Sequence, residues 1–433
     1  MDTGTTMASI PLDVIVVGGG LAGLTAAVNA ARDGASVVLL EARSTLGGRG
    51  RTKDQAGFLF NEGAHALYDG GVGVKVLNEL GITPRGNRPP LKGWGFYHGA
   101  IKRIPATPIE AMRTRLVGMR AKTELGMKML NPAKLLDTGL VGRSASEWIA
   151  ENFRTDDARA LVSITAMIGT YCGDLDDLAA EAAVTQVVGA LEHGVLYLDG
   201  GWQQIVDRLR DAAVAAGVTI HSGARVMNVR VDREQIEVAT STGTFMASAV
   251  VLAAGGPTHA ATLLGDTSAE VTRWAATERP CHVASLDLGL RRLPDDRHRF
   301  VMGLDQPLYL SAHTPTAALA PNGGEVVHVM WYGDPGHDPR PELEALLDMA
   351  QPGWRIEVVA EQYGRMRVAT QGRPTPGGGF AGRPSVAVPD VERVLVAGDW
   401  VGPVGMLGEA SLASGRSAGQ AAVRAARKSE VGV

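Results

Sequence analysis

The hydrophobic positions near the start of the chain follow first a strand pattern and then a helix pattern. Residues 13–17 form a short apolar run, which predicts a buried β-strand. An alanine-rich stretch over 24–32 predicts a helix that Gly34 ends, and residues 36–40 predict a second buried strand. Together they predict a βαβ unit with a right-handed crossover in a parallel sheet.

Similar patterns recur in two later parts of the chain. A helix is predicted over 203–216 and a long alanine-rich helix over 408–428, with strands predicted over 218–221, 225–231, 235–240, 247–254 and 393–397. Strands for one central sheet thus come from three separated regions. We therefore expect a discontinuous domain made of 10–80, 198–257 and 386–430, into which a second domain, made of 81–197 and 258–385, is inserted.

The composition is that of an ordinary folded protein. The 433 residues are 45% hydrophobic and 20% charged, and the net charge of −4 gives no support to a nucleic acid partner. Two cysteines, Cys172 and Cys281, predict reduced, buried thiols rather than a disulfide framework. The ten histidines show no metal-ligand spacing, so no protein-bound metal is expected. Without a secretion signal or a long apolar run, a cytoplasmic location is expected.

A glycine motif lies between the first strand and the first helix. Gly18, Gly20 and Gly23 match GxGxxG, in which the glycines allow a tight turn, close approach to a pyrophosphate, and helix–strand packing. The helix N-terminus stabilises the phosphate charge. Glu41 ends the second strand, where its carboxylate can accept hydrogen bonds from the adenosine ribose. This ordered set predicts a dinucleotide site.

Motifs at both ends of the chain resemble one superfamily of flavoproteins, which contains amine oxidases, phytoene desaturases and protoporphyrinogen oxidases. Near the N-terminus the resemblance lies in Arg43 and the triplet Gly47-Gly48-Arg49. Near the C-terminus it lies in Gly398-Asp399, followed by Gly408-Glu409-Ala410 and Ser414-Gly415, although one glycine of the usual motif is missing. The resemblance implies an α/β fold with a Rossmann-like FAD-binding domain, a doubly wound parallel sheet, and an inserted α+β substrate domain.

The resemblance also implies how individual residues hold a non-covalent FAD. Gly47 and Gly48 pass close to the cofactor, and Arg43 and Arg49 lie near its phosphates. Asp399 binds the ribityl chain. The helix that follows points its N-terminus at the flavin pyrimidine ring, with Met406 and Leu407 at its start, and Val226 touches the adenine end through its backbone.

The expected reaction follows from what the chain lacks. Gly255-Gly256-Pro257 ends its strand without a second dinucleotide motif, so the substrate itself is expected to reduce the flavin. We expect a two-electron dehydrogenation, a desaturation or oxidation, in which hydride passes from a largely apolar small molecule to flavin N5, with oxygen or a quinone as final acceptor. Amine oxidases of the superfamily hold a lysine on a strand that corresponds to 281–290 here. No lysine occurs there, which disfavours an amine substrate.

Three other functions remain open from the sequence. They are an amine or amino acid oxidase producing hydrogen peroxide, a flavin isomerase without net redox change, and a flavin-free escort of prenylated proteins. A serine hydrolase is not expected, because the GxSxG match at 415–419 lies in a predicted helix rather than in a strand-to-helix turn.

Three residues are candidates for catalysis or substrate contact. His65 follows Glu62-Gly63, which matches the acid-glycine pair of the superfamily, and its imidazole titrates near neutral pH. The alternative for His65 is an ordinary packed or solvent-facing histidine. Tyr332 and Trp400 can supply flat walls for an apolar substrate, and Trp400 directly follows Asp399.

A basic segment precedes the middle of the chain. Residues 85–128 hold ten lysines and arginines against two acids. Among them Ile109, Met112, Leu116 and Met119 recur at helical spacing, which predicts an amphipathic helix within 104–130. Such a helix can rest on an anionic membrane as a peripheral contact, or it can lay one face on the protein core.

Overall fold

A computed structural model describes residues 12–90, 92–105, 114 and 116–431. These residues form two seven-stranded sheets, two small sheets and eleven α-helices. None of the helices in this part of the chain combines the length and the apolar character needed to cross a membrane.

The first sheet unites strands from both ends and the middle of the chain. In spatial order they are β10 (Thr219–Ser222), β2 (Val37–Glu41), β1 (Leu12–Val17), β13 (Gly243–Leu252), β12 (Ile236–Thr240) and β11 (Val226–Val231), while β19 (Val394–Val396) pairs with β13. Strands β10, β2, β1, β13 and β19 run parallel, and β12 and β11 continue the sheet antiparallel. The carboxyl ends of the parallel strands therefore meet along one edge.

Helices cover both faces of this sheet. One face packs against α1 (Leu21–Arg32), α2 (Val72–Glu79), α7 (Gln203–Ala215) and α11 (Leu407–Val431). The other face packs against α8 (Pro257–Leu264) and α9 (Ala269–Ala276). The expected doubly wound α/β architecture is confirmed. Helices α8 and α9 pack on this sheet through Leu263 and Trp274, although the boundary expected after residue 257 assigned them to the insertion.

The second sheet lies in the inserted part of the chain. Its spatial order is β18 (Val358–Thr370), β14 (Cys281–Leu290), β17 (Glu325–Tyr332), β16 (Leu308–Ala312), β15 (Phe300–Gly303), β7 (Gly93–Tyr97) and β8 (Ala100–Ile104). Because side chains alternate along a strand, Leu286 and Leu288 of β14 pack toward α10 (Arg340–Ala350). Val283, Ser285 and Asp287 point to the opposite face, toward the first domain.

Shorter elements complete the chain. The small sheets contain β3 (Lys53–Gln55) with β4 (Phe58–Phe60), and β9 (Val195–Leu198) between β5 (Leu67–Tyr68) and β6 (Gly86–Asn87). Four helices form a separate cluster: α3 (Met119–Met129), α4 (Ala145–Asn152), α5 (Asp156–Thr170) and α6 (Ala180–His193). Single 3₁₀ turns span Gly48–Gly50, Pro132–Asp137, Gly265–Thr267 and Trp354–Glu357.

The basic segment differs from its prediction. Helix α3 begins only at Met119, which is 65% exposed, whereas Leu116 precedes the helix and is buried. These two residues therefore do not share an apolar face. Ile109 and Met112 lie outside the described residues.

Helices α1 and α11 approach each other through glycines. A Cβ atom on Gly415 would lie 2.4 Å from the carbonyl oxygen of Ala22, and one on Gly419 would lie 2.3 Å from that of Ala26. The GxSxG match thus lies inside α11, as expected, and its glycines serve helix packing.

We expect Gly419→Ala to lower the free energy of unfolding by about 1–3 kcal/mol, because the added methyl group must separate the two helices. The matched control is Gly126→Ala in α3, where a Cβ atom would meet nothing within 4 Å. There the higher helix propensity of alanine should add about 0.5–1 kcal/mol. Denaturant unfolding followed by circular dichroism measures both, and stabilisation by both substitutions would contradict the close packing.

Candidate active site

The GxGxxG turn has room for a ligand on one side only. Gly18 has a φ of +107°, and a Cβ atom there would lie 2.6 Å from the carbonyl oxygen of Ala253. A Cβ on Gly23 would lie 1.8 Å from the carbonyl oxygen of Gly18. At Gly20, by contrast, the nearest atom would be the carbonyl oxygen of Gly47 at 3.9 Å. The open side at Gly20, next to the N-terminus of α1, fits a pyrophosphate.

Glu41 holds the neighbouring backbone in place. Its two carboxylate oxygens accept hydrogen bonds from Gly19 N at 2.7 Å and from Arg43 N at 2.8 Å. Its own carbonyl accepts from Ala224 N at 2.9 Å, which brings the start of β11 at Val226 beside it. The side chain of Arg43 is exposed. Glu41 and Val226, expected at the adenosine end of FAD, are thus brought together, and Arg43, expected near the phosphates, lies beside Glu41.

The Gly47-Gly48-Arg49 triplet joins this turn to the C-terminal motif. Gly47 N donates to Gly19 O at 2.8 Å, and both Gly47 and Gly48 have positive φ angles of 118° and 54°. The Arg49 guanidinium forms two hydrogen bonds to the buried Asp399 carboxylate, at 2.6 and 2.9 Å. Segments 350 residues apart therefore meet in one charge-assisted pair.

Asp399 keeps capacity for a ligand. Besides Arg49 it accepts a third hydrogen bond from Gln371 N at 3.1 Å. A carboxylate offers roughly four acceptor positions, so one remains for a ribityl hydroxyl. Met406 is buried in the cluster of helices α3 to α6, and Leu407 packs against the same cluster. At the start of α11 these two residues can therefore offer backbone N–H groups rather than side chains to a cofactor.

Trp400 packs in a different part of the molecule from the other two candidate residues, His65 and Tyr332. It is 3% exposed, its ring N–H donates to the carbonyl of Gly255 at 3.2 Å, and its ring centroid is 6.0 Å from that of Trp274. It belongs to the core between the first sheet and helices α8 and α9. The structure does not bring Trp400 together with His65 and Tyr332.

His65 lies between the first domain and the second sheet. Its Nδ1 is 3.0 Å from the carbonyl oxygen of Gly63, and because a carbonyl only accepts, Nδ1 carries the hydrogen. Its ring is 5.3 Å from that of Trp202, which lies against Gly408 at the start of α11. Burial lowers the pKa of His65, although the Gly63 bond and the Asp287 carboxylate act in the other direction. The neutral imidazole then has Nε2 as a free acceptor.

Tyr332 belongs to an apolar wall beside His65. Its ring centroid is 5.8 Å from that of Tyr171, whose hydroxyl donates to the carbonyl of Ala64. Burial raises the pKa of Tyr332, so its phenol is neutral. The wall consists of Ala64, Ile164, Val283, Met302, Tyr309, Met330 and Tyr332.

A buried polar cluster adjoins this wall, and sequence reasoning missed it. Asp287 accepts hydrogen bonds from Ser285 Oγ at 2.5 Å, His328 Nδ1 at 2.8 Å and Gln362 Nε2 at 2.9 Å. Burial by itself would raise the pKa of Asp287, but the bonds from His328 and Ser285 hold it below the ordinary value. Gln362 also donates to the carbonyl of Asn61 at 3.1 Å, four residues before His65.

A signal for this cluster was present in the sequence. Strand 281–290 is apolar except at a few positions, and Ser285 and Asp287 alternate on one of its faces. A carboxylate inside a buried strand must find hydrogen-bond donors, which marks it as a candidate for a site.

The chain resembles known flavoproteins along most of its length. Residues 21–286 match the family model of flavin containing amine oxidoreductases. Protoporphyrinogen oxidase 2, chloroplastic/mitochondrial, of Arabidopsis thaliana is 28% identical over 174 residues, which cover 38% of this chain and 34% of that protein. The 4,4'-diapolycopen-4-al dehydrogenase of Metabacillus indicus is 24% identical over 259 residues, 52% of each chain. The chain thus spans about a third to about half the length of these relatives.

A solved structure shares the fold over nearly the whole chain. The cyclohexylamine oxidase of Brevibacterium oxydans has a TM-score of 0.70 at 17% identity, covering 96% of this chain and 99% of that one. The resemblance to the superfamily is therefore confirmed, and it implies a flavin cofactor, for which the glycine turns and Asp399 are suited. Since the family match covers more than half of its residues, the chain belongs to the flavin-containing amine oxidoreductase family.

Proposed function

We propose that this protein is an FAD-dependent oxidoreductase that removes two electrons and two protons from a largely apolar small molecule. When bound, FAD supplies the hydride acceptor at N5. The observation that carries the proposal is the position of His65, whose ring lies 5.3 Å from that of Trp202, against the start of α11, and whose Nδ1 is bound to the Gly63 carbonyl, which leaves Nε2 as the acceptor. A base at this point can take the proton that leaves the substrate along with the hydride.

The side chains near His65 support an apolar substrate. The wall that includes Val283, Met330 and Tyr332 consists of buried aromatic and aliphatic side chains, with phenols kept neutral by burial. Two relatives are named for large, largely apolar molecules, a protoporphyrinogen oxidase and a diapolycopenal dehydrogenase. Tyr332 would contact the body of the substrate rather than exchange a proton.

Asp287 would assist His65 by its charge. An imidazole that accepts a proton becomes positive, and a carboxylate nearby stabilises that charge. The Asp287 carboxylate raises the pKa of His65 against the effect of burial, and Gln362 connects Asp287 to the segment that carries His65. Asp287 would thus act as a positioning residue.

The cofactor contacts are assigned on the same basis. The turn shaped by Gly18 and Gly23 would hold the pyrophosphate on its open side at Gly20. Glu41 would accept the adenosine ribose hydroxyls, next to Val226 and Arg43. Gly47, Gly48 and Arg49 would line the cofactor at its centre. Asp399 would accept a ribityl hydroxyl, and the first N–H groups of α11, at Met406 and Leu407, would face the flavin ring. Oxygen or a quinone would reoxidise the flavin.

An amine oxidase is the second candidate, and an observation on β14 weighs against it. No lysine occurs over Cys281–Leu290, and three of the roughly four acceptor positions of Asp287 are already occupied. An ammonium group would therefore find little free carboxylate there.

The overall function is tested by anaerobic reduction of the purified protein. Bound FAD makes the protein yellow, and we expect hydrophobic alcohols or partly saturated polycyclic and polyene compounds to bleach it. Faster bleaching by aliphatic or aromatic amines would establish the amine oxidase instead. A purified protein that is colourless and takes up no FAD would exclude both enzymes and leave a flavin-free binding protein.

We expect Glu41→Ala to weaken FAD binding by about tenfold or more. The backbone N–H groups of Gly19 and Arg43 would lose the carboxylate that accepts their hydrogen bonds, and the proposed ribose contact would be lost as well. The apparent Kd is measured by quenching of flavin fluorescence on reconstitution of the apoprotein. Glu79→Ala is the matched control, because the Glu79 side chain is exposed and its carboxylate pairs with Arg416 at the surface, while Arg32 donates only to the Glu79 backbone carbonyl. Equal FAD affinity of both variants would refute the adenosine site.

We expect His65→Gln to slow anaerobic flavin reduction about a hundredfold or more while FAD content stays unchanged. His98→Gln, at a side chain that is 74% exposed, should have no effect. Because His65 must be neutral to accept a proton and its pKa is lowered by burial, the wild-type rate should rise with pH below its ordinary value of 6.5 and level off above it. A wild-type rate that falls over this range would contradict the role.

We further propose that the outer surface of α3 contacts an anionic membrane from one side. Met119, Met127 and the adjacent Leu130 are 65%, 66% and 86% exposed, and their spacing places them on one side of the helix. Arg120 on the same helix is exposed as well. Exposed apolar side chains with a basic one beside them can rest in an anionic lipid headgroup layer.

The triple variant Met119→Gln, Met127→Gln and Leu130→Gln should lose most of its co-sedimentation with vesicles of phosphatidylcholine and about 30% phosphatidylglycerol. The control carries Val214→Gln and Ile356→Gln, which replace apolar side chains that are 59% and 72% exposed elsewhere. Equal vesicle binding by the two variants, or none by the wild type, would refute the membrane contact.

A further inference from the structure

Arg367 is an unpaired cation in the substrate region. It lies on β18, opposite Val283 of β14. Its Nε atom is buried and has no hydrogen-bond partner, and within the described part of the chain no carboxylate lies within 4 Å of its guanidinium. By contrast, Arg49 and Arg373 each form two or more charged hydrogen bonds. A buried donor without a partner is costly, and a bound ligand is one source of the missing acceptor.

The course of the Arg367 side chain follows from an irregularity in the strand pairing. The pairing register of β14 and β18 shifts between Val283 and Ser285, so that Gly364 lies opposite Ser285. A Cβ atom on Gly364 would lie 2.2 Å from Arg367 Nε. The arginine side chain therefore crosses the space that a side chain at 364 would occupy. Its guanidinium lies on the face of the sheet that carries Ser285 and Asp287.

The surroundings of Arg367 combine one charge with apolar surface. Ala369 lies two positions further along β18, and Val283 lies opposite Arg367 on β14. Both residues pack with the apolar wall that contains Tyr332. Ala369 also accepts a hydrogen bond from Arg49 through its carbonyl, at 3.0 Å, which connects this end of β18 to the cofactor turn. A ligand that reaches Arg367 thus has the apolar wall and the cofactor side next to it.

The nearest buried acid does not neutralise Arg367. Asp287 lies close enough for the charge of Arg367 to be felt, but its oxygens are engaged by His328, Ser285 and Gln362. Within the described part of the chain no hydrogen bond or ion pair engages the guanidinium, whose planar fork matches a carboxylate.

We propose that Arg367 binds the carboxylate group of an acidic, otherwise apolar substrate, and thereby orients it in the site. This inference rests on the proposed function and narrows its substrate class. A carboxylate is favoured over a phosphate because it presents two coplanar oxygens to the fork, and because a single negative charge is less repelled by the nearby Asp287 than a double one.

The test measures binding to the holoenzyme and needs no turnover. The probes are benzoate, 3-phenylpropionate and decanoate, each compared with its uncharged primary amide, and binding is followed by the change in the visible absorption of the bound flavin and by calorimetry. We expect the wild type to bind at least one acid more tightly than its amide. Arg367→Gln should weaken that binding by about tenfold or more, and Arg367→Lys, which keeps the charge without the fork, should fall in between.

The matched control is Arg365→Gln, two positions earlier on the same strand, where the side chain is exposed. It should bind the acids as the wild type does. Equal weakening in Arg365→Gln and Arg367→Gln, or no saturable binding of any acid to the wild type, would overturn the proposal. So would displacement of the acids by inorganic phosphate at constant ionic strength, which would indicate a general anion site.

Two further results separate this inference from the proposed function. If Arg367→Gln loses FAD rather than the acids, Arg367 belongs to the cofactor site and the inference fails while the oxidoreductase stands. If acids bind through Arg367 but no candidate substrate ever reduces the flavin, the binding site stands and the proposed reaction fails.

Discussion

The backbone around Gly18 and Gly23 leaves no room for a side chain at either position, and the arrangement of the site depends on that constraint. Any Cβ at Gly18 would strike the end of β13, and any Cβ at Gly23 would strike the turn itself, so strands β1 and β13 and helix α1 are fixed at backbone contact. Helix α11 then packs on α1 through Gly415 and Gly419. Because β19 joins the same sheet beside β13, Asp399 comes to the edge where Arg49 already lies. Glycine spacing therefore brings the two ends of the chain together.

The cofactor half was predictable because its determinants are local. A buried parallel strand is a continuous apolar run, and the turn needs glycine at fixed offsets, so both are visible within about twenty residues. The helix predicted over 203–216 spans Gln203–Ala215, and the strand used to judge the missing lysine spans Cys281–Leu290 as expected. The residue-level FAD contacts follow from these elements and stay proposals.

The substrate half depends on pairings that no local pattern fixes. Asp287, His328 and Gln362 meet only because β17 and β18 flank β14 in one register, and a shift by one residue would turn their side chains to the opposite face. Trp400 is adjacent to Asp399 in sequence, but both lie in the turn that follows β19, and the Trp400 ring fills the core against Trp274. Leu116 and Met119 share helical spacing, yet the helix starts after Leu116, so the spacing has no structural meaning there. Burial and register decided each of these cases.

Asp287 and Arg367 are arranged so that their opposite charges do not cancel at short range. Asp287 is held ionised by neutral donors and a histidine, which leaves Arg367 without an ion pair although both are on one face of the sheet. An ammonium substrate would be repelled by Arg367 and would find the Asp287 carboxylate already hydrogen-bonded. A carboxylate substrate would instead pair with Arg367 and place its apolar body against Tyr309 and Tyr332. His65, kept neutral by burial, would then carry the only new positive charge formed in the reaction, within the field of Asp287. The charge of the Asp287 carboxylate, which no ion pair with Arg367 cancels, would thereby stabilise the protonated base.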